Sequence, residues 1–177
     1  MTEVDIEKEN AAIAQAYKEL LRVSYQTLNK DDKKLIRHAF EVALDAHKDQ
    51  RRKSGEAYIF HPIAVAKIVA QEIGLDATSI AAALLHDVVE DNPNYTIADM
   101  ERLFGETVAR IVDGLTKISV LNKEMDVSLQ AENFRKMLLT LNEDVRVIII
   151  KIADRLHNMQ TMDSMRSDKQ VKIASET

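Results

Sequence analysis

Cysteine is absent from the 177-residue chain. Its absence excludes disulfides, thiolate catalysis and Cys-ligated zinc, and makes a reducing compartment, the cytoplasm, the expected setting. Glycine and proline are scarce, at four and two residues, and the alternation of apolar and polar residues that marks half-buried strands is hard to find. Both shortages point to an all-α domain. No apolar run approaches the ~20 residues needed to span a bilayer; the longest, Val145–Ala153, is interrupted by Arg146 and Lys151. The polar, acidic N-terminus from Met1 to Asn10 lacks the basic and apolar regions of an export signal, so no membrane role is expected. Positive charge is not in excess either. A formal net charge of −5 gives no support to extended contact with duplex nucleic acid, where clustered Lys and Arg supply most of the affinity. The length and the 46% hydrophobic content suit one core, and the expectation is a single domain over residues 1–177.

What is present reads as a succession of helices. Ala11, Ala14, Tyr17, Leu20, Leu21 and Ser24 form an i+3/i+4 ladder that predicts a helix from about Ile6 to Gln26. Asp31 or Asp32 is placed to cap a second helix ending near His47. The loop from Lys48 to Phe60 holds the densest positive patch, Arg51-Arg52-Lys53, just before Ser54-Gly55. His61-Pro62 reads as a helix start with proline at the first position, running to Gly74. Asp76 or Thr78 opens a central helix that ends at the turn Asn92-Pro93-Asn94-Tyr95. Thr96 caps Ile97–Phe104, Gly105 stops it, and Glu106–Leu115 is a further helix. Thr116–Leu129 has weak periodicity and mixed charge and reads as a loop, after which Ala131–Leu141 is helical. Val145–Ile152 is rich in β-branched residues, but Ile148, Ile149, Ile152, Ala153, Leu156 and Met159 keep helical spacing, which predicts a helix. The tail Lys169–Thr177 begins another helical pattern.

The stretch Ile80–Asp91 carries the chemistry. It is apolar around its whole circumference as far as Leu85, as a central buried helix is, and then turns ionisable at His86, Asp87, Glu90 and Asp91. On one continuous helix these four side chains would gather at one end. Burying them is unfavourable unless a metal or an opposite charge compensates. Imidazole with carboxylate suits a borderline cation such as Mn, Fe, Zn or Co. His61, at its helix start, and Asp154, after a second very apolar stretch, would complete a His2Asp2 set with positions left for water. Glu90 and Asp91 are then spare carboxylates for acid/base work. Of the other histidines, His38 reads as solvated, His47 as support for the loop or for His61, and His157 as structural support. The charge run Arg51-Arg52-Lys53 alone reads as a solvated loop, but beside a metal it would neutralise phosphate oxygens. The methionines, tyrosines and phenylalanines receive no function.

The order His61, His86-Asp87, Asp154 resembles the metal set of the HD phosphohydrolase superfamily. Arg52-Lys-Ser-Gly-Glu-Ala-Tyr-Ile-Phe-His61-Pro, His86-Asp-Val-Val-Glu-Asp91, Gly114-Leu-Thr-Lys117, Gln130-Ala-Glu-Asn-Phe-Arg-Lys-Met-Leu138 and Ile152-Ala-Asp-Arg-Leu-His-Asn158 resemble, in order, the hydrolase domain of RelA/SpoT homologues. Those enzymes make and destroy the alarmone ppGpp, and the likeness covers most of the chain from about Leu35. It implies an all-α HD-domain helical bundle that removes the 3′-pyrophosphate of ppGpp or pppGpp, giving GDP or GTP and pyrophosphate, in stringent-response control.

Carried over residue by residue, the likeness implies that His61, His86, Asp87 and Asp154 hold one Mn2+. Glu90 and Asp91 would activate or orient the attacking water. Arg52, Lys53 and Ser54 would embrace the nucleotide, with Arg52 stacking on guanine, and Asn158 and Thr161 would complete the nucleoside pocket. Gln160 departs from the family, which often has Arg there. The synthetase and regulatory regions of the family are missing. The ending Lys172–Thr177 resembles the point where long members continue, so the chain is expected to be a hydrolase fragment of a bifunctional enzyme. The likeness also implies a mobile Thr116–Leu129 segment, and it indicates neither a nucleic-acid nor a membrane partner. The oligomeric state stays open. One alternative is an HD-type phosphohydrolase of another nucleotide, against which the Arg-Lys-Ser-Gly loop and the Gln130–Leu138 word speak. The other is a non-catalytic nucleotide-binding regulatory module, against which the retained Glu90 and Asp91 speak.

Overall fold

The computed structural model describes residues 2–24, 28–73, 76–123 and 144–176. Among them the chain runs α1 (Glu3–Ser24), α2 (Lys30–Ala46), α3 (Phe60–Ile68, prolonged by a π-helical turn Val69–Ile73), α4 (Ala77–Leu84), α5 (Val88–Asp91), α6 (Ile97–Phe104), α7 (Glu106–Lys123) and α8 (Val145–Glu176). The fold is all-α, as expected; the one extended pairing among the described residues is an isolated antiparallel bridge between Arg51 and Ala57.

Side chains that satisfy the free N–H groups of the first turn set where helices begin. At α2 the cap is Asn29, whose Oδ1 accepts from Asp32 N at 2.8 Å while Asp32 accepts from Asn29 N at 3.1 Å. Asp32 is thus the answering residue of a capping box, and neither it nor Asp31 is the cap that spacing predicted. Asp76 caps α4 through Ser79 N at 3.1 Å, and Thr96 with Asp99 makes a second capping box at α6. Gly105 ends α6 at a φ of 94°, a region that favours glycine. Helix α3 begins at Phe60, one residue before His61. Pro62 is therefore its third residue and not its first, which is harmless because first-turn N–H groups have no partner within the helix.

Helix α4 is the centre of the bundle. Ile80 to Leu85 are all at most 1% exposed, and α4 packs against α2, α3, α7 and α8. Its small Ala81, Ala82 and Ala83 allow that many neighbours to approach. The helix does not run on to Asp91, as periodicity predicted. It stops at Leu84, turns through Leu85–Asp87, and restarts as α5. The break has a local cause: His86 Nδ1 donates to Ala83 O at 2.6 Å, occupying the carbonyl that an unbroken helix would present to the N–H of Asp87.

Two further expectations change. Residues 116–123 are not a loop: α7 continues to Lys123. Ile118 prolongs the buried stripe of Ile111 and Leu115, Thr116 Oγ1 donates to Val112 O, and Lys117 pairs with Asp113 one turn back. The rest of that segment, and the expected helix Ala131–Leu141, lie outside the described residues. Helix α8 forms despite its β-branched content and extends unbroken over the tail pattern. It buries Val147, Ile150, Ala153 and Asp154, while Ile152, Leu156 and Met159 face outward.

Helices α7 and α8 meet closely at Gly114, where an added Cβ would lie 3.0 Å from Val147 Cγ2 and 3.3 Å from Cγ1. Gly114→Val is expected to destabilise the fold by about 1–3 kcal/mol through overpacking, lowering the melting temperature by roughly 2–4 °C per kcal/mol. Thermal unfolding followed by circular dichroism checks this, and an unchanged melting temperature would contradict the close approach.

Candidate metal centre

Three separate elements bring four ionisable side chains to one point: His61 from the first turn of α3, His86 and Asp87 from the break between α4 and α5, and Asp154 from α8. Their ligand atoms lie within 4.8 Å of one another. His61 Nε2 is 2.7 Å from Asp154 Oδ1 and 3.9 Å from Asp87 Oδ2. His86 Nε2 is 2.9 Å from Asp87 Oδ2 and 3.3 Å from Asp154 Oδ1. His61, His86 and Asp154 are buried and Asp87 nearly so.

The geometry fits a cation. Because His86 Nδ1 donates to Ala83 O, a neutral ring leaves Nε2 bare, and that buried nitrogen makes no hydrogen bond. A bare nitrogen close to two carboxylates is repulsive unless positive charge lies among them. The ionisation equilibria carry the same demand. Burial works against a charged His86, yet Asp87 and Asp154 raise its pKa well above the usual imidazole value. Burial likewise disfavours both carboxylates, but His86 and Tyr58 hold Asp87 well below the carboxylate range, and His61, His86 and Lys151 do so for Asp154. Burial lowers the pKa of His61. Burial, followed by the charges of His61 and Arg52, depresses His157 to about 4, so His157 is neutral near pH 7. Two histidines and two aspartates are a donor set for a divalent cation.

A second circle of side chains braces the four. Tyr58 donates from its hydroxyl to Asp87 Oδ2 at 2.5 Å, and burial followed by the Asp87 charge raises its pKa far above the phenol value, keeping the donor hydrogen in place. Lys151 Nζ donates to Asp154 Oδ2 at 3.0 Å and to Ser119 Oγ at 3.3 Å. The His61 and His157 rings meet edge to edge, 27° from coplanar, with Nδ1 facing Nδ1 at 2.7 Å. Asp91 accepts from Gln50 Nε2 at 3.1 Å, and Gln50 Oε1 accepts from His47 Nδ1 at 2.8 Å. Burial raises the Asp91 pKa, partly offset by the Gln50 hydrogen bond.

His61, Asp87 and Asp154 line a hollow of about 290 Å³ together with Glu90, Asp91, Ser119 and Lys151. Beside it is a second hollow of about 470 Å³, lined by Arg51, Arg52, Lys53, Ser54, Thr161 and Met162. Tyr58 and Asn158 belong to both. The basic loop is shaped by its backbone: Gly55 N donates to Arg52 O at 2.8 Å, Arg52 N to Glu56 O at 2.9 Å, and Tyr58 N to Gln50 O at 3.0 Å, with Gly55 at a φ of 93° that favours glycine. Arg52 is held over α8, its Nη2 donating to Asn158 Oδ1 at 2.9 Å and to Thr161 Oγ1 at 3.3 Å.

The sequence profile of the HD domain family matches residues 39–177. A solved structure of a metazoan ortholog of SpoT, one that hydrolyses ppGpp and plays a role in starvation responses, superposes with a TM-score of 0.59 at 30% identity, over 78% of this chain and 74% of that one. The chain belongs to the RelA/SpoT homologues of the HD domain family. Over 150 residues it is 53% identical to the bifunctional (p)ppGpp synthase/hydrolase SpoT of Escherichia coli (strain K12), covering 85% of this chain and 21% of that protein. It is 52% identical over 136 residues to a guanosine-3′,5′-bis(diphosphate) 3′-pyrophosphohydrolase of Haemophilus influenzae, covering 77% of this chain and 20% of that protein. This HD domain thus spans about a fifth of the length of the curated relatives it matches.

Of the residues singled out in this HD domain from sequence, His61, His86, Asp87 and Asp154 converge, Glu90 and Asp91 line the same hollow, and Arg52, Lys53, Ser54, Asn158 and Thr161 line the neighbouring one. Arg51 lines that second hollow too and is tied to Glu9 of α1 at 2.6 Å. His38 is exposed against Phe104. Sequence reasoning gave no part in the site to Tyr58, Gln50, Ser119 or Lys151. A signal existed for Lys151, a charge inside an apolar run three residues before Asp154; nothing in spacing marked the other three.

Removing one carboxylate leaves too few donors. Asp87→Ala is expected to abolish the rise in melting temperature that millimolar Mn2+ gives the unaltered chain, with the metal-free melting temperatures compared in chelator. A variant stabilised by Mn2+ as much as the unaltered chain would remove Asp87 from the ligand set.

Proposed function

We propose that this chain hydrolyses the 3′-pyrophosphate of ppGpp or pppGpp, giving GDP or GTP and pyrophosphate, as the cytoplasmic hydrolase part of a longer stringent-response enzyme. The observation that carries the reading is the pair of adjoining hollows, one metal-ligating and acidic and the other basic, that share Tyr58 and Asn158. A nucleotide has the same two parts, a base to be gripped and a phosphate to be cleaved.

His61, His86, Asp87 and Asp154 would hold one divalent cation, Mn2+ in our reading. When bound, it supplies Lewis-acid neutralisation of phosphate charge and lowers the pKa of water. The chain's own groups do the rest. Arg52, Lys53 and Ser54 grip the nucleoside end, the planar guanidinium of Arg52 lying against the guanine, while Asn158 and Thr161 hold Arg52 in register. Glu90 and Asp91 orient the attacking water and take its proton, and the raised pKa of Asp91 suits a base. Water adds to the inner phosphorus, the bond to the 3′ oxygen breaks, and that oxygen leaves with a proton. Lys151, beside Asp154, is placed to neutralise charge on the departing pyrophosphate. Tyr58 stands at the junction and keeps Asp87 from turning.

Incubating the chain with Mn2+ and ppGpp, dGTP or cAMP and separating the products tests the reading: ppGpp should yield GDP and pyrophosphate, and the other two should persist. Intact ppGpp after prolonged incubation with metal-loaded protein would overturn it. Glu90→Gln is expected to lower turnover by about 10²–10⁴-fold while metal and nucleotide still bind, and full activity would move the water-activating role elsewhere. Arg52→Ala is expected to raise KM about tenfold or more, the loss of charged hydrogen bonds worth roughly 1.5–3 kcal/mol, with a smaller change in kcat.

A further inference from the structure

We propose that His157 is a positioning residue for His61, and that it links the nucleotide-gripping Arg52 to the metal ligand set; the inference rests on the reading of His61 as a ligand through Nε2. Two imidazole nitrogens 2.7 Å apart, as His61 Nδ1 and His157 Nδ1 are, share one hydrogen. Two bare nitrogens at that distance would repel, and two N–H groups would collide. The side of His61 facing Asp87 and Asp154 is Nε2; a hydrogen there would go to Asp154 Oδ1 at 2.7 Å, but a nitrogen that ligates is bare. The ring hydrogen of a ligating His61 therefore resides on Nδ1, which makes His157 Nδ1 the acceptor.

A second contact fits the same assignment. Arg52 Nη1, which can only donate, lies 3.4 Å from that same His157 nitrogen. The ring centroids are 5.0 Å apart and the planes 27° apart, so the rings meet edge to edge near one plane, as an N–H···N bond requires, and His157 fixes both the plane and the tautomer of His61. A ligating imidazole whose other N–H is accepted in this way is held in one orientation and is a stronger base. The whole link lies on one stripe of α8: Asp154, His157, Asn158 and Thr161 follow at i, i+3, i+4 and i+7. Asp154 faces the other ligands, His157 backs His61, and Asn158 and Thr161 hold the second nitrogen of Arg52. A nucleotide that draws on Arg52 thus acts on a group sharing its acceptor with a metal ligand.

The test needs no nucleotide, so its failure is separate from failure of the proposed activity. Mn2+ affinity is measured by calorimetric titration of the unaltered chain, His157→Phe and His157→Gln. The phenylalanine keeps a ring and removes the acceptor; the glutamine keeps an acceptor oxygen. The Phe variant is expected to bind Mn2+ about 10–100-fold more weakly and the Gln variant to recover most of that loss, with all three melting alike in chelator. Unchanged affinity in the Phe variant, or a Gln variant as weak as the Phe variant, overturns the proposal. A measurement on the unaltered chain stands whatever the variants do. With Zn2+ as a diamagnetic probe, long-range 1H–15N spectra should place a hydrogen on His61 Nδ1 and none on His157 Nδ1; a hydrogen on His157 Nδ1 overturns it.

Discussion

The hydrogen bond from His86 Nδ1 to the Ala83 carbonyl, 2.6 Å long and buried, is the contact on which the functional end of the molecule depends. It takes a backbone acceptor out of the helical ladder and so stops α4. The same bond fixes which nitrogen of His86 is bare and turns that nitrogen toward Asp87 and Asp154. It also sets Asp87 at the start of α5, so that Glu90 and Asp91 follow on the next turn beside the His61, His86, Asp87 and Asp154 cluster. One side chain competing with its own backbone thus converts a core helix into a site.

Placing four ionisable groups there requires a frame that does not yield. Leaving a buried charge unpaired costs about 3–5 kcal/mol, whereas burying each large aliphatic side chain contributes roughly 1.5–3 kcal/mol. Ile80, Leu84 and Leu85, all at most 1% exposed, therefore offset a penalty of that order within the same short stretch. The partners do the rest locally: Tyr58 holds the Asp87 oxygen that faces the histidines, Lys151 holds the outer oxygen of Asp154, and Gln50 with His47 holds Asp91. Tyr58 and Gln50 reach in from the loop before α3 and Lys151 from α8, so the arrangement is as rigid as the bundle.

Helix identity was legible wherever an apolar stripe or a cap was local. Thr96, Asp76 and the Ile148–Met159 spacing led to the right elements, and the convergence of His61, His86, Asp87 and Asp154 could be expected because His86-Asp87 and Asp154 end two very apolar stretches and the four resemble a family pattern. What stayed hidden depends on contacts across the fold or on competition within one residue. The break at His86 comes from a ring taking a carbonyl three residues back, which no hydrophobic period records. Asn29 outcompeted Asp31 and Asp32 as a cap because Asp32 could answer it. The polar half of α7 looked like a loop because its Thr116 and Lys117 bond to their own helix, facing away from the stripe that Ile118 continues. Tyr58 and Gln50 sit in a loop with no periodicity at all, and only folding shows that their partners are Asp87 and Asp91.

Tyr58 and Asn158 form a shared wall between the two hollows. Neither side of that wall is free to slide, since one is set by a hairpin-like turn closed on Arg52 and the other by a long helix packed on α3 and α7. The spacing between grip and cut is then a fixed length of protein. On the proposed reading such a site works as a ruler laid across one sugar: it sorts nucleotides by which carbon of the ribose carries the phosphate chain, and the number of phosphates on the far side of the ring goes unmeasured.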